Sequence, residues 1–238
     1  MNTTATPRKQ KGKRSSVRAG RRNVEVSNLD KIFYPATGFT MLRKGDVELC
    51  VKYRHVVRSH AHADLLSAAP FLKQQTGART GIGENIREVQ RIFRPVFNLT
   101  DVSSDGSEFD HLFRDGERFA IGSLQVEVMH TPGHTPACVA YRIGDAVFVG
   151  DTLFMPDYGT ARADFPGGDA AQLYRSIKRL LALPPDTRLF MCHDYKAVGR
   201  DHYAWETTVA EEVANNIPAR EAAQYQRTFD LIYDLCYW

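Results

Sequence analysis

Apolar and polar residues repeat along the middle of the chain with two different periods. Residues 124–130 alternate between the two classes, as a half-buried strand does, with Leu124, Val126 and Val128 on the inner face. Between residues 84 and 97 the apolar residues recur every three or four positions, which is the spacing of a helix that buries one face. That face is predicted to carry Ile86, Val89, Ile92, Phe93 and Val96.

The same two periods predict further elements. A short helix is expected over 67–75 and a longer one over 169–183, whose inner face carries Leu173, Ile177, Leu180 and Leu181. Two strands are predicted within 137–151, joined at Gly144-Asp145, which is a two-residue hairpin signal. Short buried strands are expected at 55–60 and 188–193, each ending at a histidine. Strands interleaved with helices predict an α/β or α+β layered domain.

Composition indicates a globular protein with a full hydrophobic core. The chain has 238 residues, 43% of them hydrophobic, and no apolar run approaches the ~20 residues that span a bilayer. The N-terminus lacks the apolar core of a signal peptide, so we expect a cytoplasmic protein with no membrane partner. The four cysteines lie far apart and form no CxxC pair, which argues against a disulfide framework and a structural zinc knuckle.

Charge is distributed unevenly along the chain. Residues 1–24 contain eight basic residues and no acidic one, which leaves 23 of the 31 basic residues and all 28 acidic residues in the remainder. An arm of this composition buries too little apolar surface to fold alone, so it is expected to be disordered. Alternatively, the arm binds nucleic acid, and residues 1–24 are the only part of the chain for which the charge pattern suggests this.

Residues that bind metals gather where the predicted strands end. His60 and His62 follow one strand, and His134, Asp151 and His193 each follow another. Loops at strand ends are where a rigid sheet presents side chains to a ligand. Four histidines and well-placed aspartates at such positions therefore predict a metal site.

The motifs "HAHAD", "HTPGHTPAC", "GDTLF" and "CHDY", in this order, resemble those of the metallo-β-lactamase fold superfamily. Within it, "GTARADF" and "LYRSIKRLLALPPDTRLFMCHDY" are similar to the persulfide dioxygenase branch and to bacterial β-lactamase-like hydrolases of sulfide metabolism. The resemblance covers about residues 59–218. It implies an αββα sandwich with the metal at one edge between the sheets.

One departure from the dinuclear members of that family concerns the metal. Leu65 stands where they carry a histidine ligand of the second ion, and leucine has no lone pair to donate. The resemblance to the dioxygenases implies a single Fe(II) held by His60, His134 and Asp151, with open positions for substrate and dioxygen. His62, Asp64 and His193 are then either metal ligands or partners that orient the ligands. Zn(II) is the alternative metal.

The resemblance also implies a substrate and two residues that handle it. The expected reaction oxidises a small-molecule persulfide, such as glutathione persulfide, to sulfite and the thiol. Arg162 matches an arginine that contacts the glutathione part, and a surface salt bridge is its alternative role. Tyr195 is a candidate catalytic hydrogen-bond donor or an ordinary edge aromatic. Cys138 and Cys192 are expected to be small buried residues.

Two other functions are compatible with the sequence. One is a zinc thioester hydrolase resembling glyoxalase II, which needs a complete second metal site. The other is an inactive remnant whose basic arm binds nucleic acid. This second alternative arises because the basic arm and the segment after it stand in place of the first strands of the family's sandwich, and residues 47–58 are too short to rebuild them. We therefore expect those strands to be missing and activity to be impaired.

The domain organisation predicted from these observations has four parts. Residues 1–24 form the arm, 25–58 an atypical segment, 59–218 the metallo-β-lactamase-like domain, and 219–238 an atypical C-terminal segment. The stretch "VEVSNLDKIFYPATGFT" resembles the start of the polymerase module of ligase D-type DNA ligases, but it contains none of that module's catalytic carboxylates. Oligomeric state is not specified by any of these patterns.

Overall fold

The computed structural model describes residues 55–61, 69–100 and 102–216, and these form two sheets flanked by helices. The first sheet has three strands and the second has six. The strands are β1 His55–Val57, β2 Arg79–Gly83, β3 His111–Phe113, β4 Arg118–Ile121, β5 Leu124–His130, β6 Val139–Ile143, β7 Ala146–Phe148, β8 Arg188–Phe190 and β9 Glu206–Thr208. The helices are α1 Ala69–Thr76, α2 Ile86–Val96, α3 Ala170–Leu181 and α4 Val209–Asn215.

The three strands of the first sheet are parallel, in the order β1-β2-β3, and α1 and α2 connect them. Parallel strands need such crossovers because a tight turn can only reverse the chain. Helix α2 buries Ile86, Val89 and Phe93 as its period predicts. The prediction for Val96 is wrong, since that side chain is 56% exposed. It lies at the C-terminal end of α2, where Arg94, Pro95 and Phe97 are exposed as well.

The second sheet has the order β4-β5-β6-β7-β8-β9. The predicted hairpin is confirmed, because β6 and β7 pair antiparallel across Gly144-Asp145. Strands β7 and β8 are parallel, so the chain crosses between them through α3. The Asp169 side chain caps that helix by accepting a hydrogen bond from the Gln172 N–H at 2.9 Å, which satisfies one of the free donors of the first turn.

Three clusters of apolar side chains hold the helices and sheets together. One joins the sheets face to face through Phe113, Val126, Val128, Val139 and Tyr141. Another lies between α3 and the second sheet and includes Leu173, Ile177, Leu180, Val147 and Leu189. With α2 covering the first sheet through Ile82 and Phe93, the layers run helix, sheet, sheet, helix. The predicted layered α/β sandwich is confirmed.

Some boundaries differ from the sequence prediction. Strand β8 ends at Phe190, three residues before His193, and β1 is only partly buried. Among the described residues, no helix is long and apolar enough to cross a membrane. The predictions for the basic arm, for 25–58 including the missing strands, and for 219–238 concern residues outside the described ranges, and they stay predictions.

Candidate metal centre

Four residues with metal-binding side chains follow the ends of four strands and meet at one edge of the sandwich. His60 follows β1, His134 follows β5, Asp151 follows β7 and His193 follows β8. The segment after β1 is tied to the second sheet, because the Val139 N–H donates to the Ser59 carbonyl at 2.9 Å. His60 therefore lies close in space to residues that are 74 or more positions further along the chain.

His60, His134 and Asp151 form the most buried group of this edge. Their side chains are 7%, 3% and 4% exposed. The Asp151 Oδ2 lies 3.2 Å from the His60 Nε2 and 3.7 Å from the His134 Nε2. One ligand atom from each residue lies within 4.8 Å of the others, so the three could hold one ion together. The structure thus brings together the three residues that the family resemblance implies as iron ligands.

Hydrogen bonding determines which nitrogen of His134 faces Asp151. The Nδ1 of His134 lies 2.7 Å from the carbonyl oxygen of Arg162, and a carbonyl can only accept, so Nδ1 carries the proton. In the neutral ring the Nε2 then presents a lone pair toward the carboxylate of Asp151. A cation bound between these two electron-rich atoms would remove the repulsion between them. The donor set therefore fits a bound metal ion.

The loop that presents His134 is anchored on α3. Gly133 has φ of +134°, and its carbonyl accepts a hydrogen bond from the Asp169 N–H at 2.8 Å. The Ser176 hydroxyl donates to the Pro132 carbonyl at 2.7 Å. A side chain at position 133 would meet the backbone nitrogen of Leu173 at 2.2 Å. Only glycine allows this approach.

His193 and Cys192 approach the other oxygen of Asp151. The His193 Nε2 lies 3.5 Å from the Asp151 Oδ1, and its side chain is 30% exposed. Cys192 is close enough to hydrogen bond with Asp151, and burial together with this carboxylate raises the pKa of the thiol well above its usual value. Cys138 is buried as predicted and hydrogen bonds with the Thr135 hydroxyl at 3.1 Å.

Tyr195 lies beside His193 and contacts two further aromatic side chains. The ring of Tyr195 lies 5.8 Å from that of His193, 5.1 Å from that of Tyr158 and 5.4 Å from that of Phe154. Tyr195 is 54% and Tyr158 46% exposed, so both present ring surface beside the site. Burial and the charge of Asp151 raise the pKa of Tyr195, which therefore keeps its proton at neutral pH. We call Tyr195, Tyr158 and Phe154 the aromatic platform.

Arg200 joins the two loops that carry the platform, and sequence reasoning missed it. Its guanidinium binds Asp194, next to Tyr195, with contacts of 2.5 and 2.6 Å. It also binds Asp157, next to Tyr158, at 2.6 and 3.2 Å. Although burial alone would raise the pKa of Asp194, its hydrogen bonds, led by those from Arg200, hold that pKa below its usual value. Arg200 and Asp157 lie in loops 43 residues apart along the chain. Loops have no hydrophobic period, so the sequence pattern could not predict this contact.

Arg162 contributes to the site through its backbone, while its side chain forms a surface ion pair. Its carbonyl accepts the hydrogen bond from His134. The guanidinium is bound at two atoms by Asp164, with an Nη2–Oδ2 distance of 2.8 Å, and it stacks 4.6 Å above the Phe165 ring. The hydrogen bonds from Arg162 hold the pKa of Asp164 below its usual value. His62, Asp64 and Leu65 lie outside the described residues, so their placement stays a prediction.

Comparison with known proteins agrees with this geometry. The sequence profile of the metallo-beta-lactamase superfamily matches residues 52–193. The chain is 50% identical over 216 residues to a probable metallo-hydrolase of Burkholderia pseudomallei, covering 83% of this chain and 73% of that protein. It is 54% identical over 162 residues to a beta-lactamase hydrolase-like protein of Xylella fastidiosa, covering 68% of this chain but only 37% of that one. Much of the length of some relatives therefore has no counterpart here.

Two further proteins bear on the choice of reaction. The human mitochondrial persulfide dioxygenase ETHE1 is 28% identical over 168 residues, covering 69% of this chain and 56% of its own. The crystal structure of ETHE1 from Myxococcus xanthus superposes with a TM-score of 0.54 at 34% identity, over 68% of this chain and 61% of that one. These comparisons give no support to a ligase D resemblance at the N-terminus.

Proposed function

Because the chain belongs to the metallo-β-lactamase superfamily, whose members are typically metalloenzymes, we propose that it holds one Fe(II) through His60, His134 and Asp151. The proposed reaction converts a persulfide such as glutathione persulfide, with dioxygen and water, into the thiol and sulfite. The convergence of two imidazoles and one carboxylate supports the proposal. This ligand set is typical of non-haem iron oxygenases, and it leaves positions open for substrates.

Bound Fe(II) would supply a redox-active centre where the persulfide sulfur and dioxygen can meet. The residues of the chain orient and neutralise that centre. The Arg162 carbonyl holds His134 in the tautomer that directs Nε2 inward. Asp151 supplies a negative charge within 3.2–3.7 Å of both imidazoles. Leu65 supports one ion over two, because it removes a histidine ligand from the second position.

We assign binding of the thiol carrier to the exposed side of the site. The aromatic platform offers ring surface beside His193, and Tyr195, which keeps its proton, can donate a hydrogen bond to the substrate. Arg162 has the fork geometry that suits a carboxylate of glutathione. Its present partner is Asp164, so substrate binding there requires exchange of one carboxylate for another.

A second candidate is a zinc-dependent thioester hydrolase, and one observation favours it. His193 lies 3.5 Å from the oxygen of Asp151 that faces away from His60, so Asp151 is placed to bridge two ions, as a dinuclear hydrolase requires. The name of the Burkholderia relative, a probable metallo-hydrolase, is consistent with this activity.

Metal analysis separates the two candidates. We expect about one iron per chain in protein purified without oxygen and without a metal-affinity column, measured by plasma mass spectrometry. His134→Ala should abolish iron binding, whereas Asp64→Ala should weaken it about 10–100-fold through loss of an orienting partner. His202→Ala is the control, because that side chain is 73% exposed and its ring pairs with the neighbouring Asp201 at the surface. Equal losses in His134→Ala and His202→Ala would contradict the ligand assignment.

Activity is tested on the iron-loaded chain. Glutathione persulfide should consume dioxygen and release sulfite in equal amounts, and Tyr195→Phe should lower the rate while leaving iron content unchanged. Two zinc ions per chain, hydrolysis of S-lactoylglutathione and no dioxygen uptake would replace the iron proposal with the hydrolase.

A further inference from the structure

We propose that Glu212 and Asn216 are positioning residues of the aromatic platform, and that their hold on it is released when the Glu212 carboxyl group loses its proton. The proposal rests on the proposed function in one respect, because it takes the platform to be where the thiol carrier binds. Substrate binding would then weaken in alkaline solution, for a reason that does not involve the metal ligands.

Two of the three platform rings stand near the ends of one short loop, residues 154–159. The Phe154 N–H donates to the Gly159 carbonyl at 3.0 Å, which closes the loop. The N–H groups of Tyr158 and Gly159 both donate to the Met155 carbonyl, at 2.8 and 3.1 Å. Gly159 has φ of +104°, which favours glycine. A group that binds the Gly159 carbonyl therefore helps to fix where the rings of Phe154 and Tyr158 lie.

Asn216, which follows the last residue of α4, links this loop to Glu212. Its side-chain amide donates to the Gly159 carbonyl at 3.1 Å and to the Glu212 Oε2 at 2.6 Å. Neither Glu212 nor Asn216 has any exposed surface. Because a single –NH₂ group makes both hydrogen bonds, movement of the Glu212 carboxyl group redirects the bond that Asn216 makes to the loop.

The surroundings of Glu212 suit a neutral acid better than a carboxylate. Its Oε1 is buried and has no hydrogen-bond partner in the part of the chain that the structure describes. A charge on that oxygen would be held away from water without a donor to stabilise it. The charged groups that act on Glu212 are Glu211 of the same helix and Asp157 of the loop, and both are acidic. The other described elements that contact α4, which are α3 and β9, contribute no charge to this effect. Burial, the largest effect, raises the pKa of Glu212 to about 8, so the proton stays bound at neutral pH and is lost in alkaline solution.

Loss of the proton has a consequence of definite size. A carboxylate at this place is stabilised by turning toward water, which leaves the Asn216 amide with one acceptor instead of two and loosens its bond to the Gly159 carbonyl. If only the protonated form holds the loop in place, the competent fraction falls to about one tenth at pH 9, and KM rises about tenfold between pH 7 and pH 9.

Fluorine NMR tests the link to the loop without any reaction. The full-length chain is labelled with 4-fluorophenylalanine, and the signal of Phe154 is identified by its absence in Phe154→Leu. We expect that signal to shift in the wild-type protein with a midpoint near pH 8 and to stay constant in Glu212→Gln, which has no proton to lose in this range. Glu211→Gln is the matched control, because Glu211 is the exposed neighbour of Glu212, and it should behave as the wild type does.

Kinetics on the iron-loaded chain test the effect on binding. KM for glutathione persulfide should rise about tenfold more between pH 7 and pH 9 in the wild type than in Glu212→Gln, which corrects for ionisation of the substrate. Asn216→Ala should raise KM at both pH values and remove this difference. A Phe154 signal that moves equally in the wild type and in Glu212→Gln overturns the proposal, and so does a signal that responds while KM does not. A responding signal in a chain that oxidises no persulfide would refute the proposed reaction alone.

Discussion

Replacing Arg200 with alanine tests how far the rim of the site depends on one side chain. Arg200 is 13% exposed and binds Asp194, whose side chain has no exposed surface, and Asp157, which is 39% exposed. The variant therefore leaves one carboxylate buried without its cation. Two backbone N–H groups, of Lys196 and Ala204, still donate to Asp194.

The expected magnitude follows from these contacts. Breaking a buried ion pair by removing one partner costs about 3–5 kcal/mol, and the exposed pair with Asp157 adds less than about 1 kcal/mol. The remaining backbone donors to Asp194 favour the lower end of the range. We expect the free energy of unfolding to fall by about 3 kcal/mol, which corresponds to a melting temperature roughly 6–12 °C lower in a domain of this size.

Urea unfolding followed by circular dichroism measures this change. Arg118→Ala is the control, because Arg118 is 70% exposed and pairs with Glu127 across two strands at the surface. It should lose less than about 1 kcal/mol. Asp194→Asn should also cost more than Asp157→Asn. Equal midpoints for Arg200→Ala and Arg118→Ala would refute the view that Arg200 holds the two loops.

Three further variants test other features. Burial raises the pKa of Glu212 from 4.5 to about 8, so its contribution to stability is complete below pH 4.5 and is lost by about 1.4 kcal/mol per pH unit as the pH rises toward 8. Glu212→Gln should remove this part of the pH dependence of the unfolding free energy. If the unfolding free energy of the variant differed between pH 5 and pH 8 as much as that of the wild type, the assignment would be contradicted. Asp164→Asn frees the Arg162 guanidinium, so KM for glutathione persulfide should fall several-fold with kcat unchanged, whereas an unchanged KM would argue against a contact between Arg162 and the substrate. Gly133→Ala should push the loop that carries His134 away from α3 and abolish metal binding. Gly144→Ala, with nothing within 4 Å of the added carbon, should lower the free energy of unfolding by about 1 kcal/mol and leave metal binding intact.

Residue spacing predicted the parts of the fold that depend on neighbours along the chain. The alternation of β5, the hairpin at Gly144-Asp145 and the inner face of α3 are all local patterns. The convergence of His60, His134 and Asp151 was predicted because each follows a strand, and strand ends meet at sheet edges. Their roles remain proposals.

The features that spacing did not predict depend on contacts between distant segments. Glu212 looks like a surface residue of a polar helix, yet its side chain has no exposed surface, because Asn216 binds both its carboxyl group and the Gly159 carbonyl. Strand β8 ends early although its apolar run continues through Met191. No local signal in the sequence marks either outcome, because each is determined by what packs against the segment.

The residues proposed to hold the metal come from both sheets. His60 follows β1 of the first sheet, while His134 and Asp151 follow strands of the second, 74 and 91 positions further along the chain. An ion bound by all three would therefore act as a reversible cross-link between the two halves of the sandwich, closing loops long enough for a large entropic effect. Metal supply would then adjust the lifetime of the folded chain as well as its chemistry, since an ion that binds only the folded state stabilises it by mass action.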